Sequence, residues 1–160
     1  MDNIVREIKA FRDAGEPAQF LLEHCVRKLH GSLEKWNWVG IYLLVGDTLV
    51  LGPFAGEPTE HTRIPVGNGV CGSAVAMDRN MIVDDVKSCD NYIACAVDTR
   101  SEIVVLIRHK GKIVGQFDVD SNSPAAFTEK DERLLQELAE VVCEQCDDLI
   151  QIAAGSLHQR

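Results

Sequence analysis

The feature that most constrains this chain is a strand-period alternation that collects carboxylates on one side and aliphatic side chains on the other. Glu102 opens the run Ser-Glu-Ile-Val-Val-Leu-Ile-Arg, and Asp118 and Asp120 close the run Lys-Ile-Val-Gly-Gln-Phe-Asp-Val-Asp. Successive side chains of a strand point to opposite faces. Ile103, Val105 and Ile107 therefore share one face and Glu102, Val104 and Leu106 the other, while Ile113, Phe117 and Val119 oppose Asp118 and Asp120. The run Trp38 to Leu44 follows the same rule, with Val39, Ile41 and Leu43 set against Trp38, Gly40 and Tyr42. Paired in one sheet, these strands give an aliphatic face for helices and an opposite face that is a cup of aromatic rings and carboxylates. Crowded carboxylates repel one another and lose hydration, so such a cup favours a cation. The alternative reading is a solvent-exposed polar face, as in many antiparallel sheets.

The flanking segments fit helices around that sheet. Apolar residues recur at helical spacing over residues 2 to 34 (Ile4, Ile8, Phe11, then Phe20, Leu21, Cys25, Leu29), interrupted by Gly15-Glu16-Pro17, which predicts two helices or one broken helix. Trp38–Leu44 and Thr48–Phe54, separated by Val45-Gly46-Asp47, read as a hairpin. Arg63-Ile64-Pro65-Val66 leads through Gly67-Asn68-Gly69 into the small residues Val70 to Ala76, suited to a tightly packed helix. Met81-Ile82-Val83 reads as a short strand, and residues 84 to 100 as a long loop of the kind that usually carries function. Thr128 is the expected N-cap of a last helix, with acids in its first turn and Leu134, Leu135, Leu138, Val141, Val142, Leu149 and Ile150 at helical spacing. The order predicts one α+β domain over residues 1–160, with N- and C-terminal helices on one face of an antiparallel sheet and a ligand pocket on the other.

Composition excludes several function classes. The formal charge is −9 and the Lys and Arg residues are scattered, so no basic stripe awaits a phosphate backbone and no nucleic-acid partner is expected. The N-terminus lacks a signal-peptide pattern, and no apolar run is long enough to span a bilayer, which predicts a cytoplasmic protein without membrane contact. Six cysteines without a secretion signal point to reduced or reactive thiols or metal ligands rather than a disulfide framework.

The cysteines differ in setting. Cys71 falls in the first turn of its helix, where unsatisfied backbone N–H groups and the helix dipole favour a thiolate. Cys95 lies on the long loop ahead of Glu102, and Cys89 shares that loop as an alternative disulfide partner. For each, the competing role is that of a small buried hydrophobe. Cys25 sits beside an apolar helix stripe and reads as core. Cys143 and Cys146 form a C-x-x-C on the last helix, but His109 and His158 complete no paired ligand motif, so helix packing is expected rather than zinc.

Several strings become specific in combination: Trp36-Asn37-Trp38-Val39-Gly40-Ile41-Tyr42, Leu49-Val50-Leu51-Gly52-Pro53-Phe54, Arg63-Ile64-Pro65-Val66-Gly67-Asn68-Gly69-Val70-Cys71-Gly72, Ile93-Ala94-Cys95, Ser101-Glu102-Ile103-Val104 and Asp118-Val119-Asp120-Ser121. Over about residues 35 to 142 the chain resembles the free methionine-(R)-sulfoxide reductases, stand-alone GAF-domain enzymes. The resemblance implies a GAF-like fold and a thiol-dependent reductase of free L-methionine (R)-sulfoxide, recycled by thioredoxin or a similar dithiol, with no metal and no organic cofactor. It implies Cys95 as nucleophile and Cys71 as resolving cysteine. It further implies Glu102, Asp118 and Asp120 as polar pocket residues, and Trp38 and Tyr42 as the wall around the S-methyl group.

Two departures stand out. Many members carry another cysteine shortly before the Arg-Ile-Pro-Val stretch, where this chain has Glu60-His61-Thr62, and Ala96 replaces an Asp that often follows the nucleophile. The rival class is a GAF small-molecule sensor without catalysis. The short stretch after the last apolar helix positions, Gly155 to Arg160, favours the enzyme, since a sensor leads into an output domain. A homodimer through the terminal helices is compatible with either.

Overall fold

The computed structural model of the protein describes residues 2–88 and 98–158. Helices α1 (Asp2–Asp13) and α2 (Ala18–Ser32) are separate, and Pro17 stands at the start of α2, where its missing N–H costs nothing. Strands β1 (Trp38–Val45) and β2 (Thr48–Ala55) form the expected hairpin around Gly46-Asp47, with Gly46 at a φ of 64° that a side chain would resist. Then follow β3 (Arg63–Pro65), α3 (Gly69–Met77), β4 (Met81–Val83), a short 3-10 turn (Val86–Ser88), β5 (Ser101–His109), β6 (Lys112–Ser121) and α4 (Glu129–His158). At the start of α4 the backbone N–H of Thr128 donates to the Asp131 carboxylate at 2.9 Å, half of a capping box with Asp in place of Glu. Among the described residues, no helix is long and apolar enough to cross a membrane.

The six strands form one antiparallel sheet in the order β3-β2-β1-β6-β5-β4. Strands β1, β6 and β5 lie at its centre, with Trp38 opposite Asp120 and Asp120 opposite Glu102. Helices α1, α2 and α4 pack on one face. There Val39, Ile41, Ile103, Val105, Ile107, Phe117 and Val119 join Ile8, Leu21, Leu22, Leu29, Leu135, Leu138 and Val142 in the main core, with Cys25 and Cys146 buried among them. Each fully buried Leu, Ile or Phe contributes roughly 1.5–3 kcal/mol, so this face supplies most of the driving force for folding. The chain from β3 at one edge to β4 at the other crosses the opposite face, and α3 packs there on Trp38, Tyr42, Val104 and Leu106.

One residue departs from the expected alternation. Ile113 was assigned by parity to the helix face, yet it packs with the site-face cluster, and Val114 takes its place in the main core. The cause is a register shift: Ile107 pairs with Gly115 and Arg108 with Ile113, so Val114 is the extra residue of a bulge. The bulge lies at the hairpin end, and alternation from Gln116 to Asp120 is undisturbed.

Candidate active site

The even face of the central strands is a closed acidic cup, not a solvent-exposed surface. Glu102 is 3%, Asp118 0% and Asp120 1% exposed. Three neighbouring strand positions bring them together, since Glu102 faces Asp120 across the β5–β6 ladder and Asp118 follows two residues before Asp120 on the same side. Among the described residues, no Lys or Arg forms an ion pair with Glu102 or Asp118. Burial, followed by the charges of Asp118 and then Asp120, holds the Glu102 carboxyl well above the usual carboxylate range. Burial also raises Asp118, partly offset by hydrogen bonding with Glu102 and Cys71. With Glu102 ionised, the buried Asp118 oxygens have only the Cys71 thiol beside them and lack a carboxyl donor. A proton on Glu102 supplies one, so the pair is best satisfied when it shares a proton.

Helix α3 brings a thiol to this cup. Cys71 is the third residue of α3, in its first turn as expected, and is buried. Its Sγ lies 3.8 Å from Glu102 Oε2. Gly72 permits that position, because a Cβ there would come 2.6 Å from the Pro65 carbonyl oxygen and 2.9 Å from the Gly67 nitrogen, both backbone atoms unable to retreat. The α3 turn is thereby pressed onto the strand that precedes it. Gln116, fully buried on the site face of β6, donates from Nε2 to the Cys71 carbonyl at 3.0 Å. Sequence reading missed Gln116, although the alternation that selects Asp118 and Asp120 selects it too.

The aromatic wall is equally fixed. The Trp38 ring lies over Gly40, on space that any side chain at that position would claim. It stacks on Phe54 with centroids 5.8 Å apart and leans toward Tyr42 at 6.3 Å. Trp38 Nε1 donates to the Glu57 carbonyl at 3.0 Å, and Tyr42 OH to the His61 carbonyl at 2.8 Å. Both rings thus present carbon to the cup and pin the 56–62 loop with their polar ends. That loop includes the Glu60-His61-Thr62 stretch noted above. A cavity of ≈ 200 Å³ adjoins the Trp38 and Asp120 end of the cup, lined also by Glu57, Asp98 and Thr99.

Of the residues singled out from sequence, Trp38, Tyr42, Cys71, Glu102, Asp118 and Asp120 share this one face. Cys95, Ala96 and Cys89 lie outside the described residues. Cys25 and Cys146 are core thiols: burial pushes Cys25 up to about 12 and raises Cys146 as well. Cys143 is half-buried, 3.6 Å from His109 Nδ1, and Cys146 points into the core, so the two do not converge on a shared ligand position.

A six-stranded antiparallel sheet with helices on one face and a small covered pocket on the other defines a GAF domain, and the profile of that family, described as GAF domain, matches residues 12–142. The chain belongs to the GAF family. An Escherichia coli protein named free methionine-R-sulfoxide reductase is 46% identical over 110 residues, 69% of this chain and 66%, just under two thirds, of that relative. The structure of free methionine-R-sulfoxide reductase from Neisseria meningitidis in complex with its substrate is 36% identical, with a TM-score of 0.83 over 90% of this chain and 86% of that one. That of a type II free methionine-R-sulfoxide reductase from Thermoplasma acidophilum is 35% identical, with a TM-score of 0.80 over 88% and 96%. Within the GAF family, then, the chain groups with proteins bearing that name, as its motifs suggested.

Proposed function

We propose that this chain reduces free L-methionine (R)-sulfoxide, with Cys95 as the nucleophile, Cys71 as the resolving cysteine and thioredoxin or a similar dithiol as the final reductant. The observation that carries the reading is a buried cluster of three carboxyls with a thiol 3.8 Å from one of them, in a chain similar to reductases of this substrate. Among the described residues no lysine or arginine is ion-paired with Glu102 or Asp118, which suits a substrate that brings its own cation. The ammonium of a free amino acid is such a cation, and a methionine within a peptide lacks it.

In this reading the Cys95 thiolate attacks the sulfoxide sulfur. The oxygen is protonated and departs as water when the S–O bond breaks; water then attacks the Cys95 sulfur as the new S–S bond breaks, so methionine leaves with two electrons gained and Cys95 becomes a sulfenic acid. Glu102, whose carboxyl burial and acidic neighbours hold well above the usual carboxylate range, is suited to protonate the departing oxygen. Cys71 then condenses with the sulfenic acid, releasing water and forming a disulfide, which an external dithiol reduces by exchange. Asp118 and Asp120 hold the ammonium, while Trp38 and Tyr42 flank the S-methyl group. No metal or organic cofactor enters any of these steps. We place the reaction in the cytoplasm, where dithiol reductants keep such thiols reduced. The exposed Ile152 on α4 supports pairing of two copies through the terminal helices.

A sensor without catalysis gains nothing from a thiol set against the ligand-binding acids, so the reductase reading is preferred. The test is incubation of the protein with methionine sulfoxide and dithiothreitol, followed by assay of free methionine. Stereoselective formation of methionine from the R epimer is expected. Binding of the sulfoxide without any methionine release would establish the sensor instead.

A further inference from the structure

Cys71, Glu102 and Asp118 meet at one buried point, and among the described residues no donor from outside the three reaches the Asp118 carboxylate. One ligand atom from each lies within 4.8 Å of the other two, and all three residues are buried. Asp118 is fully buried against this point, its only donors among the described residues are Glu102 and Cys71 when they carry protons, and no Lys or Arg among those residues is paired with it or with Glu102. A buried carboxylate in that state is costly unless a proton or a cation lies beside it. We infer that Cys71 Sγ, Glu102 and Asp118 form a binding site for a thiophilic divalent ion of the zinc class.

The spacing selects the ion. Zinc holds sulfur at about 2.3 Å and carboxylate oxygen at about 2.1 Å, so a tetrahedral ion sets the two about 3.6 Å apart. The observed Cys71 Sγ to Glu102 Oε2 distance is 3.8 Å, which a small side-chain adjustment closes. Calcium and magnesium are excluded by chemistry: they take six or more oxygen ligands, and a thiolate suits neither. Three protein ligands leave a tetrahedral ion one open position, for water or substrate. Binding sends the thiol proton and the proton held between Glu102 and Asp118 to solvent and moves no electrons. The ion occupies Asp118, which the proposed function assigns to the substrate ammonium, and Glu102, which it assigns to proton donation. Competition with substrate therefore rests on that reading, whereas the ion's binding does not. Once Cys71 enters a disulfide its thiolate is gone, so only the reduced protein holds the ion.

The experiment is titration of the reduced, substrate-free protein with Co²⁺, whose thiolate charge-transfer band in the near ultraviolet reports a sulfur ligand. A band saturating at one equivalent and displaced by Zn²⁺ is expected. It should vanish in Cys71→Ser and remain in the Cys143→Ala/Cys146→Ala double variant. Removing a mere outer partner of a metal ligand costs about 10–100-fold in affinity, so Asp118→Asn and Glu102→Gln should each weaken Co²⁺ binding at least tenfold. Circular dichroism establishes that each variant is folded, and the two carboxylate variants give independent readings if one is not. A band that survives Cys71→Ser, a band lost with Cys143 and Cys146, or no band with folded wild type overturns the site. Because no substrate is present, failure of the reductase assay and failure of this titration are separate outcomes.

Discussion

The indole of Trp38 lies over the α-carbon of Gly40, two residues along the same face of β1, so the ring occupies the volume that a side chain at position 40 would need. Gly40 thus shapes the pocket by what it lacks. Gly40→Ala must push the ring toward Phe54 or out of the cup. Overpacking of this kind costs about 1–3 kcal/mol. The expected result is a lower melting temperature together with a raised KM for free methionine sulfoxide. A variant with wild-type stability and KM would show that the ring moves aside freely and forms no fixed wall.

The acids predict a substrate-dependent penalty. Asp118→Asn and Asp120→Asn each remove charge with little change of volume, so the sheet should persist while the ammonium loses a partner. A hydrogen bond to a charged group is worth roughly 1.5–3 kcal/mol, about one to two decades in affinity. Use of free methionine sulfoxide should fall by that amount. N-acetylmethionine sulfoxide, which has no cation, should be a poor substrate of the wild type and should suffer no added loss in the Asp variants. Equal turnover of both substrates by the wild-type protein would mean that these carboxylates do not read the ammonium.

The same burial that suits Glu102 to proton donation gives stability a definite pH dependence. Glu102 and Asp118 bind their protons more tightly folded than unfolded. Their contribution is fully present below the ordinary carboxylate pKa and is lost as pH rises through their raised folded values. Melting temperature should therefore decline from mildly acidic toward alkaline pH by more in wild type than in Glu102→Gln, which carries no proton to lose. Parallel curves for the two proteins would remove Glu102 as the source of the slope.

The thiols divide by environment. Cys95→Ser should abolish reduction, whereas Cys71→Ser should release one equivalent of methionine and stop at a sulfenic acid, trapped by dimedone and seen by mass spectrometry. The Cys143→Ala/Cys146→Ala variant should keep activity within a few-fold of wild type, since Cys146 packs in the core and Cys143 lies on the far side of the sheet from the cup. Full methionine release by Cys95→Ser in a single turnover would refute the assignment of the nucleophile. Normal recycling by Cys71→Ser would transfer the resolving role to Cys89 or to the external dithiol.

What the sequence revealed depended on the range of the interaction. Alternation is local, so Glu102, Asp118 and Asp120 were assignable to one face and Val39, Val105 and Phe117 to the other before any coordinates. The helix start at Thr128 and the turn at Gly46 are likewise local signals. Ile113 was misplaced because a bulge depends on how two strands pair, which neither strand records alone. The Gln116 bond to Cys71 joins residues 45 positions apart, and the Tyr42 and Trp38 bonds to the 56–62 loop each span 19. No periodicity carries such information. The roles of Cys95 and Ala96 came from resemblance alone, because a loop without repeating pattern offers spacing arguments nothing to use.

The interleaving of core and cup along β6 has a consequence for how this sequence can change. Phe117 and Val119 anchor the helices, and Asp118 and Asp120, their immediate neighbours, face Glu102. A single-residue insertion or deletion between Gln116 and Asp120 would exchange the two sets, driving carboxylates into hydrocarbon and a phenyl ring into the pocket. Between these positions length is quantised in pairs. Near the β5–β6 turn the Val114 bulge has already absorbed one odd step, which makes that turn the place where the hairpin can gain or lose residues without the pocket noticing.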